Sequence, residues 1–308
     1  MKYLRASKNP FFYYIALTLT FYLLVILLPP SGKVMATYNL DPTEYRMLLF
    51  LIYLPLAIIW FTAFYGYNKL KQYARSVRET PEGLGYEGLA RGFTWLSWGL
   101  LVPVTITIVL HAISGQNPNF NASAIIISNY ISLIFPLIAF SIINNASHRL
   151  VSRRGEDTTL SANKLIMILF IVLGVAYCYL VFKHIDGHGL TDSNNPYMIP
   201  VWLIITTIVI PYLYAWFVGL LAAYDLHRLS KRAKGVLYRQ ALSLLSRGAT
   251  LVIVSLISVQ YLRSVVPRTG HFSLSMTLVT TYLIFIIMMF GFIMISLGAS
   301  RLKRMEDI

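Results

Sequence analysis

The stretch PLAIIWFTAFYGYNKL, residues 55–70, is echoed by PYLYAWFVGLLAAYDL, residues 211–226. In one frame 156 residues apart, Pro55 falls on Pro211, Trp60-Phe61 on Trp216-Phe217 and Leu70 on Leu226. The same frame carries Arg91-Gly92 onto Arg247-Gly248 and Thr94 onto Thr250 without a gap. Leucine matches mean little in a chain that is 57% hydrophobic, but proline, tryptophan and an Arg-Gly pair rarely share one register by chance. The pattern predicts a duplicated unit: a helix, a basic connector and a second helix. Farther along the echo shifts to an offset of 152, where Phe120, Ser123, Tyr130 and Phe140 return as Phe272, Ser275, Tyr282 and Phe292.

Around this stretch the chain of 308 residues has only 12% charged residues and several apolar runs of eighteen residues or more, which marks an integral membrane protein. In hydrocarbon every backbone amide needs a partner within its own segment or barrel, and these continuous runs lack the alternation of barrel strands, so they are helices. Eight runs are predicted, at residues 11–28, 47–67, 93–113, 122–146, 165–182, 198–223, 249–266 and 274–299. The first is long for a signal core, and its counterpart at 165–182 is no removable leader, so it too is expected to be retained. The expected fold is an all-α membrane protein of eight transmembrane helices, built as two parallel four-helix repeats over residues 1–155 and 156–308.

Charge gives the sidedness. With both termini cytoplasmic, 21 of the 26 Lys and Arg fall on the inner side and 5 on the outer, a bias in the sense of the positive-inside rule. Four spans per unit set both units the same way round, related by an axis along the membrane normal. The expected location is the cell membrane, multi-pass. The net charge of +14 sits in short loops rather than on one soluble face, which argues against nucleic acid as a partner. The basic connectors are expected to lie as interfacial helices on the anionic inner leaflet, with docking of a cytoplasmic partner as the alternative. Cys178 is the one cysteine, so an intrachain disulfide is excluded.

No Asp, Glu, Lys or Arg lies deep in any run, so the usual markers of proton relays and ion pathways are missing, as is a Schiff-base lysine for retinal. Phosphate-cradling glycine loops, His-Glu-x-x-His, nucleophile elbows and CxxC pairs are also missing, and neither an enzyme nor a cofactor is predicted. Candidate binding residues are the polar side chains Asn129, Tyr130, Ser132, Ser141 and Asn144 on the fourth run, with Ser255, Ser258, Gln260 and Tyr282 on the last two. Interhelical hydrogen bonds are their structural alternative. Pro55 and Pro211, each inside an apolar run, are candidate hinges. His184, Asp186 and His188 alternate, and in an extended loop they would point one way and form a weak metal-binding candidate. The function these features predict is a non-enzymatic sensing, scaffolding or ligand-binding membrane module. The alternative is a transporter or channel with its path between the repeats.

Overall fold

A computed structural model describes residues 41–114, 118–152, 158–188, 205–269 and 274–304. These residues form helices α1 (Pro42–Ser76), α2 (Pro81–Ser114), α3 (Pro118–Ser152), α4 (Thr158–His188), α5 (Ile210–Arg232), α6 (Val236–Thr269) and α7 (Leu274–Arg304). A π-helical turn, Ile205–Val209, leads into α5. There is no strand among the described residues. The first run, at 11–28, lies outside them.

Among the described residues, three helical segments are long and apolar enough to cross a membrane: Ile205–Arg232, Val236–Val259 and Val279–Arg304. Their outward faces are apolar as well as their inward ones. Phe217 is 61% exposed and Leu213 54%, while on α4 Leu165 and Tyr179 are both 65% exposed. Helices apolar all round suit lipid on one side and packed protein on the other.

Six helices close into a ring of neighbours. Each of α1·α2, α2·α3, α3·α5, α5·α6, α6·α7 and α7·α1 is a packed pair, and α4 lies against α3. Close approach at two seams depends on glycine. Gly85, Gly88, Gly92 and Gly99 line one face of α2 against α3, where a Cβ on Gly92 would run into Ile143 and come within 3.1 Å of the Ala139 carbonyl. On the α6·α7 seam a Cβ on Gly248 would lie 2.6 Å from the Gly291 carbonyl oxygen and 2.9 Å from the Ile295 nitrogen. Small residues let helix backbones approach where lipid offers no hydrophobic drive for association. Phe93, Phe140 and Phe292 are fully buried in one core cluster, and Trp60 is buried against Phe64 and Trp98.

The basic connectors are built from the ends of long helices. Their basic residues ride on continuations of α1, α2, α5 and α6, and the connections shrink to turns at 77–80 and 233–235. The sequence explains why helix persists beyond each apolar run. Leu70, Tyr73 and Ala74 on α1, and Tyr86, Leu89 and Ala90 on α2, keep helical spacing and are all buried, as are Ala241, Leu242 and Leu245 on α6. The first turn is fixed by Val77, whose carbonyl accepts the Thr80 amide at 3.0 Å, and by Gly83, where any Cβ would strike that carbonyl. The second turn closes with the Ala233 amide on the Leu229 carbonyl at 3.1 Å. At its other end α1 begins with a capping box. Asp41 accepts from the Thr43 and Glu44 amides at 2.6 and 2.8 Å, and the Asp41 amide donates back to Glu44 at 3.0 Å.

Candidate functional site

A polar contact joins the two helical hairpins formed by α1–α2 and α5–α6. Tyr86, in the second turn of α2, and Tyr238, in the first turn of α6, bring their hydroxyls to 2.6 Å. Helices α2 and α6 stand opposite one another in the ring, so this bond crosses its interior at the hairpin end. Tyr86 is wholly buried, with the Tyr73 ring edge-on at 4.9 Å between centroids. Burial, and then the neighbouring Tyr238, push the Tyr86 phenol well above the ordinary tyrosine range, so it stays neutral. One phenol donates and the other accepts, which satisfies a hydroxyl whose burial would otherwise cost about 1–3 kcal/mol.

A second polar contact bridges the α3·α5 seam near the same end. His148 Nδ1 lies 3.8 Å from Asp225 Oδ2, with the histidine about half exposed and the carboxylate 17% exposed. At this length the pair is a loose electrostatic contact rather than a tight hydrogen bond. On α6, Ser246 donates to the Ala223 carbonyl of α5 at 2.8 Å.

The sequence-predicted residues are divided between seams. Tyr130 is buried on α3, where its hydroxyl donates to the Ile171 carbonyl of α4 at 2.6 Å and its ring occupies the space a Cβ on Gly174 would need. It therefore fastens α4 to the ring. Ser141 is buried on the same helix, and its hydroxyl has no hydrogen-bond partner among the described residues. Ser132 and Asn144 are half-buried, and the Asn144 carbonyl accepts from Ser147 at 2.9 Å. Ser255 and Ser258 donate to carbonyls one turn back on α6, Leu251 at 2.8 Å and Val254 at 3.0 Å. Tyr282 is 38% exposed on α7. The side chains of Asn129 and Gln260 lie outside the described residues.

Pro55 is buried inside α1, whereas Pro211 is buried at the second position of α5. A proline lacks its amide hydrogen and crowds the carbonyl four residues back. The wider π turn that ends at Val209 gives that crowding room, so the two prolines sit in different backbone settings. Residues 183–188 continue α4 instead of forming the extended loop expected. On a helix His184 and His188 lie one turn apart, and Asp186 falls on the far side, so the one-sided alternation is lost. Their side chains are outside the described residues, and no metal-ligating group of three occurs among the residues that are described.

Sequence reasoning missed the Tyr86–Tyr238 pair, although the signal was present. In the frame of 156, Tyr86 falls on Leu242; shifting by four residues aligns GLGYE, residues 83–87, with GVLYR, residues 235–239, and sets tyrosine on tyrosine. Four residues are close to one helical turn, so the shift preserves the face. Comparisons with protein-family models, with curated proteins and with solved structures each found no match.

Proposed function

We propose that this chain is a polytopic membrane protein of eight spans in two parallel four-span repeats, with both ends and both hairpins on the cytoplasmic side. It works as a non-enzymatic sensing, scaffolding or ligand-binding module whose working part is the contact between the repeats. The observation that carries this reading is the Tyr86–Tyr238 bond, one phenol from each unit, beside a core in which Phe93, Phe140 and Phe292 are fully buried. Among the described residues no Asp, Glu, Lys or Arg is fully buried, so the packed core offers little fixed charge to guide an ion, whereas a polar contact between two packed bodies is suited to having two positions. Support for the repeat comes from the matched seams. Gly92 faces Ala139 and Ile143, and 156 and 152 residues on, Gly248 faces Gly291 and Ile295. Further support is the order of packed pairs, in which α1·α2, α2·α3 and α3·α5 are followed by α5·α6, α6·α7 and α7·α1.

Transport between the repeats is the second reading, and the buried Ser141 hydroxyl, without a hydrogen-bond partner among the described residues, is the observation that favours it. Flux measurements on the purified chain in liposomes separate the two. The sensing reading expects sodium, potassium, chloride and proton flux equal to that of protein-free vesicles. Saturable flux abolished by Ser141→Ala would replace it with the transport reading.

A further inference from the structure

The two hairpins match in helical plan but not in charge. The first carries Lys69, Lys71, Arg75, Arg78 and Arg91 together with Glu79, Glu82 and Glu87. The second carries Arg228, Lys231, Arg232, Lys234, Arg239 and Arg247 with one acid, Asp225, and residues 226–304 contain no Asp or Glu. Membrane sidedness does not require this difference. The positive-inside bias counts Lys and Arg and is nearly indifferent to acids, and in basic residues the hairpins are almost equal.

The cations are also used differently. In the first hairpin Arg91 pairs with Glu87 at 2.6 Å, Lys71 donates to the Tyr67 hydroxyl at 3.0 Å, and Lys69 lies 5.5 Å from the centre of the Tyr65 ring, while Arg75 and Arg78 are exposed with no ion-pair partner among the described residues. In the second, Lys231, Arg232, Lys234 and Arg247 are exposed, and none of them has an ion-pair partner among the described residues. Beside them the tip presents Val236, 72% exposed, and Leu237, 45% exposed.

Height argues against lipid as the partner of this tip. Hydrocarbon disfavours a charge, so the Arg247 guanidinium lies at or outside its boundary, and Val236 stands eleven residues nearer the turn. At 1.5 Å per residue the tip is about 16 Å past Arg247, more than the roughly 5–7 Å of headgroup layer on each side of the hydrocarbon.

We propose that the tip of the second hairpin, Lys231, Arg232 and Lys234 with Val236 and Leu237, docks an acidic segment of a cytoplasmic protein that carries apolar anchors. Carboxylates would pair with the three cations, and the anchors would cover the two aliphatic side chains. The proposal depends on the sidedness given above, and it holds whether or not the interior binds a ligand.

The test uses the full chain in nanodiscs of zwitterionic lipid and a short fluorescein-labelled peptide of glutamates with two central leucines, read by anisotropy. Three exposed ion pairs of modest strength predict that Lys231→Gln/Arg232→Gln/Lys234→Gln weakens binding about tenfold. Lys69→Gln/Lys71→Gln/Arg75→Gln, which removes the same charge from the first hairpin, should weaken it less than about threefold if each lost pair there contributes little. Val236→Ser/Leu237→Ser should weaken the leucine-bearing peptide and leave a leucine-free one unchanged. Equal losses from the two triple variants would overturn the proposal in favour of diffuse attraction. So would capture of the discs by phosphatidylserine vesicles as strong as peptide binding and lost in the same second-hairpin variant, which would make the partner a lipid surface.

Discussion

Replacing Gly248 by alanine probes the packing on which the ring depends. The added Cβ would sit 2.6 Å from the Gly291 carbonyl oxygen, 2.8 Å from Ile295 Cγ1 and 2.9 Å from the Ile295 nitrogen. Two of these three atoms are backbone, so a rotamer change cannot relieve the clash. Ordinary contact begins near 3.4 Å, so α6 and α7 must separate by about 0.8 Å along that line. Overpacking of this kind costs roughly 1–3 kcal/mol. Part of this is offset by the lower entropy of the unfolded chain, roughly 0.4–1 kcal/mol for Gly→Ala, which leaves a net loss. Gly235→Ala is the control. Its Cβ would meet nothing nearer than Tyr238 Cβ at 3.7 Å, so only the entropic gain applies. Thermal unfolding of the detergent-solubilised protein should show Gly248→Ala several degrees below wild type, at about 2–4 °C per kcal/mol, and Gly235→Ala at or above it. Gly92→Ala should fall between them, because its closest obstacle is the Ile143 side chain and the Ala139 carbonyl is 3.1 Å away. Indistinguishable melting of Gly248→Ala and Gly235→Ala would refute the close-approach argument.

Other outcomes follow from the hydroxyl contacts. Tyr238→Phe should cost about 1–3 kcal/mol by taking the hydrogen-bond partner from the buried Tyr86 phenol, Tyr86→Phe should cost less because Tyr238 is half-buried, and the double variant should cost less than the sum, which a double-mutant cycle in urea or heat will read. The Tyr86 phenol is raised above the unfolded value of about 10, so above that pH the folded chain holds a proton that the unfolded chain has lost. Its stabilising effect is complete below pH about 10 and declines as pH rises toward the folded value; the melting-temperature gap between wild type and Tyr86→Phe should hold up to pH about 10 and narrow only above it. Tyr130→Phe removes the bond to the Ile171 carbonyl and should loosen α4, and maleimide labelling of Cys178, which packs beside Tyr130, should then accelerate.

Much of the helical plan was legible, and for stated reasons. Asp41-Pro42-Thr43-Glu44 has the spacing of a capping box with proline at the first helical position, and α1 starts there. The apolar stretches around Trp60 and Phe140 announced helices, and both side chains are buried. The hairpin stubs were harder to read because Lys and Arg dominate the eye between 69 and 91 and between 228 and 247. Their buried partners, Leu70 and Tyr73 or Leu242 and Leu245, carry the helical period more quietly. The polar residues of the candidate site were visible as residue types, but a type does not say whether its hydroxyl meets its own helix, as in Ser255 and Ser258, or a neighbour, as in Tyr130. The Tyr86–Tyr238 contact needed a one-turn change of register within an otherwise ungapped match, a shift that only packing reveals.

The central claim, that two like units stand the same way round with both hairpins facing the cell interior, is tested most directly at the hairpin tips. Leu84 and Val236 are 58% and 72% exposed, so cysteine at either position is open to reagent. In a Cys178→Ser background, Leu84→Cys and Val236→Cys should both resist a membrane-impermeant maleimide in intact cells and both label once the membrane is permeabilised. Labelling of one tip from outside while the other stays protected would contradict it.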